Sequence, residues 1–321
     1  MKKFTLINAT TVEEAVSALR EGKAAVIAGG TDLLGELKGF ISPASPDVLV
    51  NIKTIPAMDY IKEEAGMLKI GALARLTNIY KSSTVQAKYA ALAEAAHKVA
   101  TPQLRNMGTI GGNICQKVRC WYYRAEYNAF DCLRKNPAGT CQALIGDNRY
   151  QSIFGALNGC IAVNPSDAAP ALVALDAKIV TTKNTAGYDA EDFFTFTGAG
   201  SEKTTVLADD EIVTEIQVPS PAAGTKSAFV KFAIRKSFDF AIASCAATIT
   251  GTSARICLNG VYNIPYRATD AEEVIAGKII NEANAEAAGE AAVADASPQA
   301  YNGYKVQIAK TMVKRAILAC A

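Results

Sequence analysis

Cysteine is the residue type whose distribution most constrains this chain. Five of the eight cysteines lie in one segment between Gly108 and Asp167, with turn residues such as Asn136-Pro137 between them. The five are Cys115, Cys120, Cys132, Cys141 and Cys160. Thiols gathered at irregular spacing in one segment can form disulfides, bind zinc or hold an iron–sulfur cluster.

The start of the chain and the cysteine spacing rank these three chemistries. The first three residues are followed by a mixed polar segment and not by the apolar core of a secretory leader, so we disfavour disulfides. Zinc sites prefer close cysteine pairs, and only Cys115 and Cys120 approach that spacing. An iron–sulfur cluster accepts ligands from several loops and ranks first, with zinc second. Scattered buried thiols rank third, a description that suits Cys245 and Cys257 in their apolar runs.

Charge and histidine content argue against several functions. The 33 Lys and Arg residues nearly balance the 31 Asp and Glu residues, so no basic surface for nucleic acid is visible. No apolar run is long enough to span a bilayer. We therefore expect a folded cytoplasmic protein that binds neither nucleic acid nor a membrane. His97 is the only histidine, which argues against histidine-based catalysis, so chemistry must come from cofactors or from another subunit.

Two glycine-rich turns indicate phosphate binding. The apolar run Ala24–Ala28 leads straight into Gly29-Gly30-Thr31-Asp32-Leu33, and a second turn reads Gly108-Thr109-Ile110-Gly111-Gly112-Asn113. A glycine turn between a strand and a helix presents backbone N–H groups that can cradle a phosphate or pyrophosphate. Glycine also lets the backbone approach a ligand closely. One such turn alone would be an ordinary connection, but this chain has two.

The pattern along the chain predicts alternating strands and helices, then a separate α+β layer after the linker Pro219–Gly224. Ser166 is predicted to cap a helix that begins near residue 168. The segment 282–296 is rich in Ala and Glu and predicts an exposed helix. The strands are expected at 4–6, 24–28, 47–52, 67–72, 160–163, 177–182, 211–216, 227–232, 242–249 and 255–262, and further helices near 12–19, 89–100, 271–276 and 305–319.

Four motifs in this order resemble the FAD-binding subunit of the molybdenum hydroxylases, a family that includes the flavin subunits of xanthine and carbon monoxide dehydrogenases. They are Ala28–Leu34, Gly108–Asn113, Asn164-Pro165-Ser166-Asp167 and Lys231-x3-Arg235-x3-Asp239. The resemblance implies an α+β protein: a two-subdomain FAD-binding fold of the vanillyl-alcohol-oxidase type, followed by a C-terminal antiparallel sheet with helices on one face. The implied boundaries are 1–58, 59–220 and 221–321.

The resemblance also assigns residues to the cofactor. Both glycine turns would hold the FAD pyrophosphate, and Ser166 and Asp167 would reach the ribityl or phosphate region. Lys231 and Asp239 would lie near the flavin. No catalytic residue is implied. The binding is expected to be non-covalent, because the single histidine lies outside both turns. The residues assigned to FAD in the turns are Ala28, Gly29, Gly30, Thr31, Asp32, Leu33, Thr109, Gly111, Gly112 and Asn113.

The cysteine-bearing loop, at about 115–160, is an insertion relative to most of that family. It is similar to the loop in the β subunit of 4-hydroxybenzoyl-CoA reductase and in the flavin subunit of some bacterial aldehyde dehydrogenases, which carry an extra [4Fe-4S] cluster. The resemblance implies Cys120, Cys132, Cys141 and Cys160 as ligands. An alternative assignment replaces Cys160 by Cys115.

The implied function is electron transfer. FAD and the cluster would relay electrons between two further subunits and an external carrier. The two subunits are a molybdopterin-binding large subunit and a [2Fe-2S] small subunit, in a dimer of heterotrimers. A ferredoxin-like protein would suit the role of carrier. Basic residues around the insertion would provide a docking surface for an acidic carrier. The alternatives are that they are solvated surface charges or that they tune the reduction potential of the cluster. The alternatives to this function are a stand-alone zinc-stabilised FAD oxidoreductase and a flavin-free scaffold subunit.

Overall fold

The computed structural model describes all 321 residues, and its strands form three sheets. The first sheet is parallel, with strand order β1-β3-β2. Its strands are β1 (Thr5–Asn8), β2 (Ala24–Ile27) and β3 (Val48–Asn51), connected by helices α1 (Val12–Arg20) and α2 (Leu33–Lys38). Thr11 caps α1 by accepting a hydrogen bond from the Glu14 N–H. The short parallel sheet directs the end of β2 towards the first glycine turn.

The second sheet is antiparallel, in the order β4-β5-β8-β6-β7. It shares one hydrophobic core with the first sheet. Its strands are β4 (Ile61–Glu64), β5 (Met67–Gly71), β6 (Lys178–Thr181), β7 (Tyr188–Asp189) and β8 (Val213–Pro219). The accompanying helices are α3 (Leu76–Lys81), α4 (Ser83–Lys88), α5 (Ala90–Lys98), α6 (Pro102–Met107), α7 (Ile110–Ile114), α8 (Gln142–Ile145), α9 (Ala168–Ala174) and α10 (Ala190–Phe193).

The third sheet is antiparallel and buried on both faces. Its strands are β9 (Lys226–Phe232), β10 (Ala243–Thr250), β11 (Ser253–Asn259) and β12 (Tyr266–Arg267), followed by α11 (Thr269–Ile275), α12 (Glu282–Ala291) and α13 (Tyr304–Leu318). Cys245 and Ala247 join the core beneath these C-terminal helices, whereas Ala246 between them joins the core of the preceding domain. Because side chains alternate along a strand, the sheet connects the two cores.

Two predicted elements are wrong. Residues 160–163 form no strand; Cys160 and Val163 make single bridges to Leu157 and Arg119, because this segment pairs with irregular loops. The helix expected at 282–296 ends at Ala291, and one side of it is buried. A Cβ at Gly289 would lie 2.7 Å from the Lys310 carbonyl oxygen, so small residues let α12 pack closely on α13.

The segment 115–160 has little regular structure. It contains one 3₁₀ turn, Glu126–Asn128, and the short helix α8. A small hydrophobic core of its own includes Cys120, Cys132 and Cys160. Among the helices of the chain, none combines the length and apolar character that crossing a membrane requires.

Candidate cofactor site

A cavity of about 310 Å³ lies where the first sheet, α7 and the third sheet meet. Its wall includes all ten turn residues assigned from sequence, together with Asp167 and Lys231. Ser166 does not line it. Instead, the buried Ser166 hydroxyl donates to Asn113 Oδ1 at 2.6 Å and accepts from the Ala169 N–H at 3.1 Å. Ser166 thus accepts from the first turn of α9, one residue before the N-cap residue Asp167, and its hydroxyl also holds the Asn113 side chain in place.

The first glycine turn offers the cavity a row of free donors. The backbone N–H groups of Gly29, Gly30, Thr31 and Asp32 have no hydrogen-bond acceptor within the chain. Gly30 has a φ of +69°, and a Cβ at Gly29 would lie 2.3 Å from the Met107 carbonyl oxygen. Only glycine fits these two positions. Consecutive unpaired N–H groups form an anion-binding concavity, which fits a pyrophosphate.

The second turn serves packing more than donation. The N–H groups of Ile110 and Gly111 donate to carbonyl oxygens of Ala74 and Ala72, and the Gly112 N–H donates to Thr109 Oγ1 at 3.1 Å. A Cβ at Gly111 would lie 3.0 Å from both the Cβ and the carbonyl oxygen of Ala72. Glycine at position 111 therefore allows α7 to pack against the end of β5, and a larger side chain there would meet protein before it met a cofactor.

A buried ion pair spans the far wall. Lys231 Nζ on β9 lies 2.6 Å from Asp167 Oδ2 and also donates to the Lys98 carbonyl oxygen at 3.0 Å. Burial raises the pKa of Asp167, while the ammonium of Lys231 opposes that rise. The pair fixes one positively and one negatively charged side chain across the junction between α9 and the third sheet.

The segment 238–240, in which the resemblance places Asp239 near the flavin, also lines the cavity. The Phe240 ring lies 4.3 Å from the Arg119 guanidinium. The Lys231-x3-Arg235-x3-Asp239 pattern marks this loop in the sequence, but it does not indicate that Phe240 packs against Arg119.

Asp32 faces the insertion. Its carboxylate accepts hydrogen bonds from Arg119 and Arg124 at 2.9–3.0 Å. Burial alone would raise the pKa of Asp32, but the two guanidinium groups outweigh it and hold the pKa below its ordinary value. Two arginines thus neutralise the carboxylate next to the free N–H groups, where an uncompensated negative charge would repel a phosphate.

Further ion pairs join the insertion to the same region. Lys117 Nζ lies 3.0 Å from Glu202 Oε2, which also accepts a 2.6 Å hydrogen bond from the Tyr123 hydroxyl. Glu36 on α2 is buried beside Arg124, with an O to N distance of 3.0 Å. Burial raises the pKa of Glu36 in spite of the nearby cations. None of these long-range pairs leaves a local signature in the sequence.

The four cysteines assigned as ligands lie together. Burial raises the pKa of Cys120 to about 12, and it also raises the pKa values of Cys132 and Cys141; in each case the nearby Cys160 adds to the rise. Burial raises the pKa of Cys115 to about 12 with no other cysteine contributing. Cys115 packs instead against the main core. No group of three or more His, Cys, Asp or Glu side chains is arranged to hold a metal ion.

The comparisons with known proteins define the class. Residues 2–221 match the FAD binding domain in molybdopterin dehydrogenase, and residues 228–320 match the CO dehydrogenase flavoprotein C-terminal domain. The chain belongs to the FAD-binding subunits of the molybdenum hydroxylase family and is an oxidoreductase subunit. The family and the α+β fold class expected from the sequence are both confirmed.

Individual relatives cover nearly the whole chain. It is 34% identical to the aldehyde oxidoreductase FAD-binding subunit PaoB of Escherichia coli K12, over 97% of this chain and 96% of that protein. It is 30% identical to the carbon monoxide dehydrogenase medium chain of Hydrogenophaga pseudoflava, over 96% and 93%. A solved structure of that dehydrogenase, which lacks the Mo-pyranopterin moiety, superposes with a TM-score of 0.75 and covers 99% of this chain and 97% of its own. A stand-alone zinc enzyme and a flavin-free scaffold are not favoured.

Proposed function

We propose that this chain holds FAD in the cavity and transfers electrons within a multi-subunit molybdenum hydroxylase. The observation that carries the proposal is the row of four unpaired N–H groups in the first turn, from Gly29 to Asp32. A bound flavin supplies exchange between two-electron and one-electron carriers. In this proposal the first turn binds the pyrophosphate, and the second turn, with Asn113 and Ser166, supports the wall.

The Asp167–Lys231 pair has a positioning role in the same proposal. Both side chains are buried and hold each other at 2.6 Å. An ion pair at this depth keeps its geometry, because separating it would leave a buried charge without a partner. The pair therefore orients the cavity wall contributed by β9.

We further propose that Cys120, Cys132, Cys141 and Cys160 bind a [4Fe-4S] cluster. The sulfur of Cys160 accepts hydrogen bonds from Arg134 Nε and from the Ala162 N–H, which suits a thiolate. Cys120, Cys132 and Cys160 share one small core, and Cys141 packs against it. A multinuclear cluster also spreads its ligands more widely than a single ion does, so it does not require the convergence typical of a mononuclear site. Cys160, rather than Cys115, is the fourth ligand, because Cys115 lies apart from the other thiols.

The partners in this proposal are a molybdopterin-binding large subunit and a [2Fe-2S] small subunit, as a dimer of heterotrimers in the cytoplasm. The names of the relatives, an FAD-binding subunit and a medium chain, support a role as one part of a larger enzyme. The cluster would serve a ferredoxin-like external carrier. The domain boundaries 1–58, 59–220 and 221–321 are part of the same proposal.

Gly29→Ala tests the flavin site. The new Cβ would force the two turns apart, because it would lie 2.3 Å from a backbone oxygen. We expect the purified complex to lose most of its FAD, measured by flavin absorbance after denaturation. Gly35→Ala is the matched control, since a Cβ there meets nothing within 4 Å. Full FAD content in a folded Gly29→Ala variant would contradict the assignment of this turn.

A further inference from the structure

Arg134 is a buried cation in direct contact with one of the cysteines. Only 1% of the residue is exposed. Its Nε donates to Cys160 Sγ at 3.1 Å, and its terminal nitrogens donate to Asn263 Oδ1 at 2.6 Å and to the Lys203 carbonyl oxygen at 3.3 Å. The guanidinium carbon lies 3.8 Å from the centre of the Phe196 ring.

None of these partners carries a formal negative charge. No carboxylate lies within 4.0 Å of the Arg134 guanidinium, although ion pairs hold Arg119 and Arg124 in the same insertion. Arginine stays protonated in proteins. A buried charge without a counter-charge is costly, so an anion belongs beside this guanidinium.

That anion can lie where the guanidinium of Arg134 contacts the sulfur of Cys160. A cluster held by four thiolates carries a net negative charge, and its reduction adds one more. We propose that Arg134 is a positioning residue that raises the reduction potential of the cluster, by donating to the Cys160 sulfur and by placing a positive charge in a region of low dielectric. Hydrogen bonds to sulfur and local charge are established determinants of cluster potential. This inference rests on the proposed cluster.

The contact is specific to one ligand. No charged side chain donates a hydrogen bond to the sulfur of Cys120 or Cys141. Near Cys132, the ammonium of Lys135 donates instead to the Ile41 carbonyl oxygen and to Asn128 Oδ1. Only Cys160 has a charged side chain hydrogen-bonded to its sulfur.

Redox titration of three variants tests the proposal. Arg134→Met removes the charge and the donor, Arg134→Gln keeps a donor without the charge, and Arg149→Met is the control, because Arg149 is an exposed residue of the insertion paired with Asp147. Iron, acid-labile sulfide and FAD are measured first, and the cluster potential is then followed by electron paramagnetic resonance. The flavin potential is recorded as an internal reference.

We expect Arg134→Met and Arg134→Gln to lower the cluster potential, with the larger shift in Arg134→Met. The flavin potential and Arg149→Met should not change. A cluster potential equal to wild type in either Arg134 variant would overturn the inference while leaving the proposed cluster intact. If Arg134→Met loses its iron, the Arg134→Gln potential decides. Wild-type protein without iron would instead overturn the proposed cluster, and this inference with it.

Discussion

Cys160 of the insertion and the cysteines of the C-terminal domain differ in the direction of their hydrogen bonds. In the C-terminal domain the thiols of Cys245, Cys257 and Cys320 donate to backbone carbonyl oxygens at 3.6–3.7 Å. In the insertion the sulfur of Cys160 accepts, from Arg134 and from the Ala162 N–H. A donating thiol needs its proton, whereas an accepting sulfur is suited to a thiolate.

Burial is common to both groups and does not distinguish them. Burial raises the pKa of Cys320 to about 12, just as it does for Cys120. The difference lies in the hydrogen-bond partners of the sulfur: backbone carbonyl oxygens in the C-terminal domain, and a backbone N–H and a buried guanidinium at Cys160. The hydrogen-bond partners, and not burial, therefore set Cys160 apart from the cysteines of the C-terminal domain.

Removing a thiol should have the largest effect. Serine at any one of the four proposed ligands should lose most of the cluster iron, because the cluster needs all four thiolates. The substitutions are Cys120→Ser, Cys132→Ser, Cys141→Ser and Cys160→Ser. Iron and acid-labile sulfide per chain measure the loss.

Two alanine variants are the controls for that prediction. Cys257→Ala lies in the core beneath the third sheet, and Cys115→Ala lies beside the second glycine turn. Both should keep their iron. Loss of iron in Cys115→Ala, together with full iron in Cys160→Ser, would exchange the fourth ligand and leave the cluster itself in place.

Arg124→Met should have a smaller effect, at the flavin. The substitution removes two of the three guanidinium hydrogen bonds to Asp32 and leaves this carboxylate, which lines the cavity, with less compensation. We expect FAD affinity to fall about tenfold, which corresponds to about 1.4 kcal/mol. Isothermal titration with FAD measures the change. Arg20→Met, which breaks an exposed pair with Asp210, is the control. Equal FAD affinities in the two variants would mean that Arg124 of the insertion does not contribute to flavin binding.

Lys305→Met should change stability and leave iron unchanged. Like Arg134, Lys305 is a buried basic residue with no carboxylate as its partner. Its side-chain nitrogen donates instead to the carbonyl oxygens of Tyr150, Gln151 and Gly260 at 2.8–2.9 Å. Leaving these acceptors unpaired should lower the free energy of unfolding by about 1–3 kcal/mol. Lys310→Met on the same helix is the control, because Lys310 pairs with glutamates near the surface. Loss of iron in Lys305→Met would mean that Lys305, like Arg134, affects the cluster.

The pH dependence of stability provides a smaller test of the same lysine. Burial lowers the pKa of Lys305 to about 7, below about 10.4 in an unfolded chain. Between these values the unfolded chain binds more protons, so this lysine makes the free energy of unfolding rise as the pH rises from about 7 to about 10. Denaturant unfolding across this range should give a shallower rise for Lys305→Met than for wild type. Parallel curves would contradict a neutral lysine in the folded protein above pH 7.

The sequence predicted the parts of the site that depend on local backbone geometry. Gly29 and Gly30 lie in a turn whose form follows from a strand, two glycines and a helix start, and Ser166 accepts from the first turn of α9 as a capping hydroxyl does. The parts it did not predict depend on contacts between distant residues. Asp32 pairs with Arg119 and Arg124 about ninety positions further along the chain, and no periodic pattern marks such a contact.

The insertion was the least predictable region for the same reason. Its cysteines were visible as a group, but the expected strand at 160–163 is absent because the segment bonds to loops. Arg134 could be named from the sequence only as one of several basic residues. Its burial and its contact with Cys160 depend on Asn263 and Phe196, which come from other parts of the chain.

Elemental analysis of anaerobically purified protein tests the central claim most directly, because it asks whether the four cysteines proposed as ligands hold a cluster in the same chain as the flavin. Iron and acid-labile sulfide should each approach about four per chain, the content of one [4Fe-4S] cluster, with one non-covalent FAD. Zinc in place of iron, or FAD-replete protein with neither metal, would contradict the account.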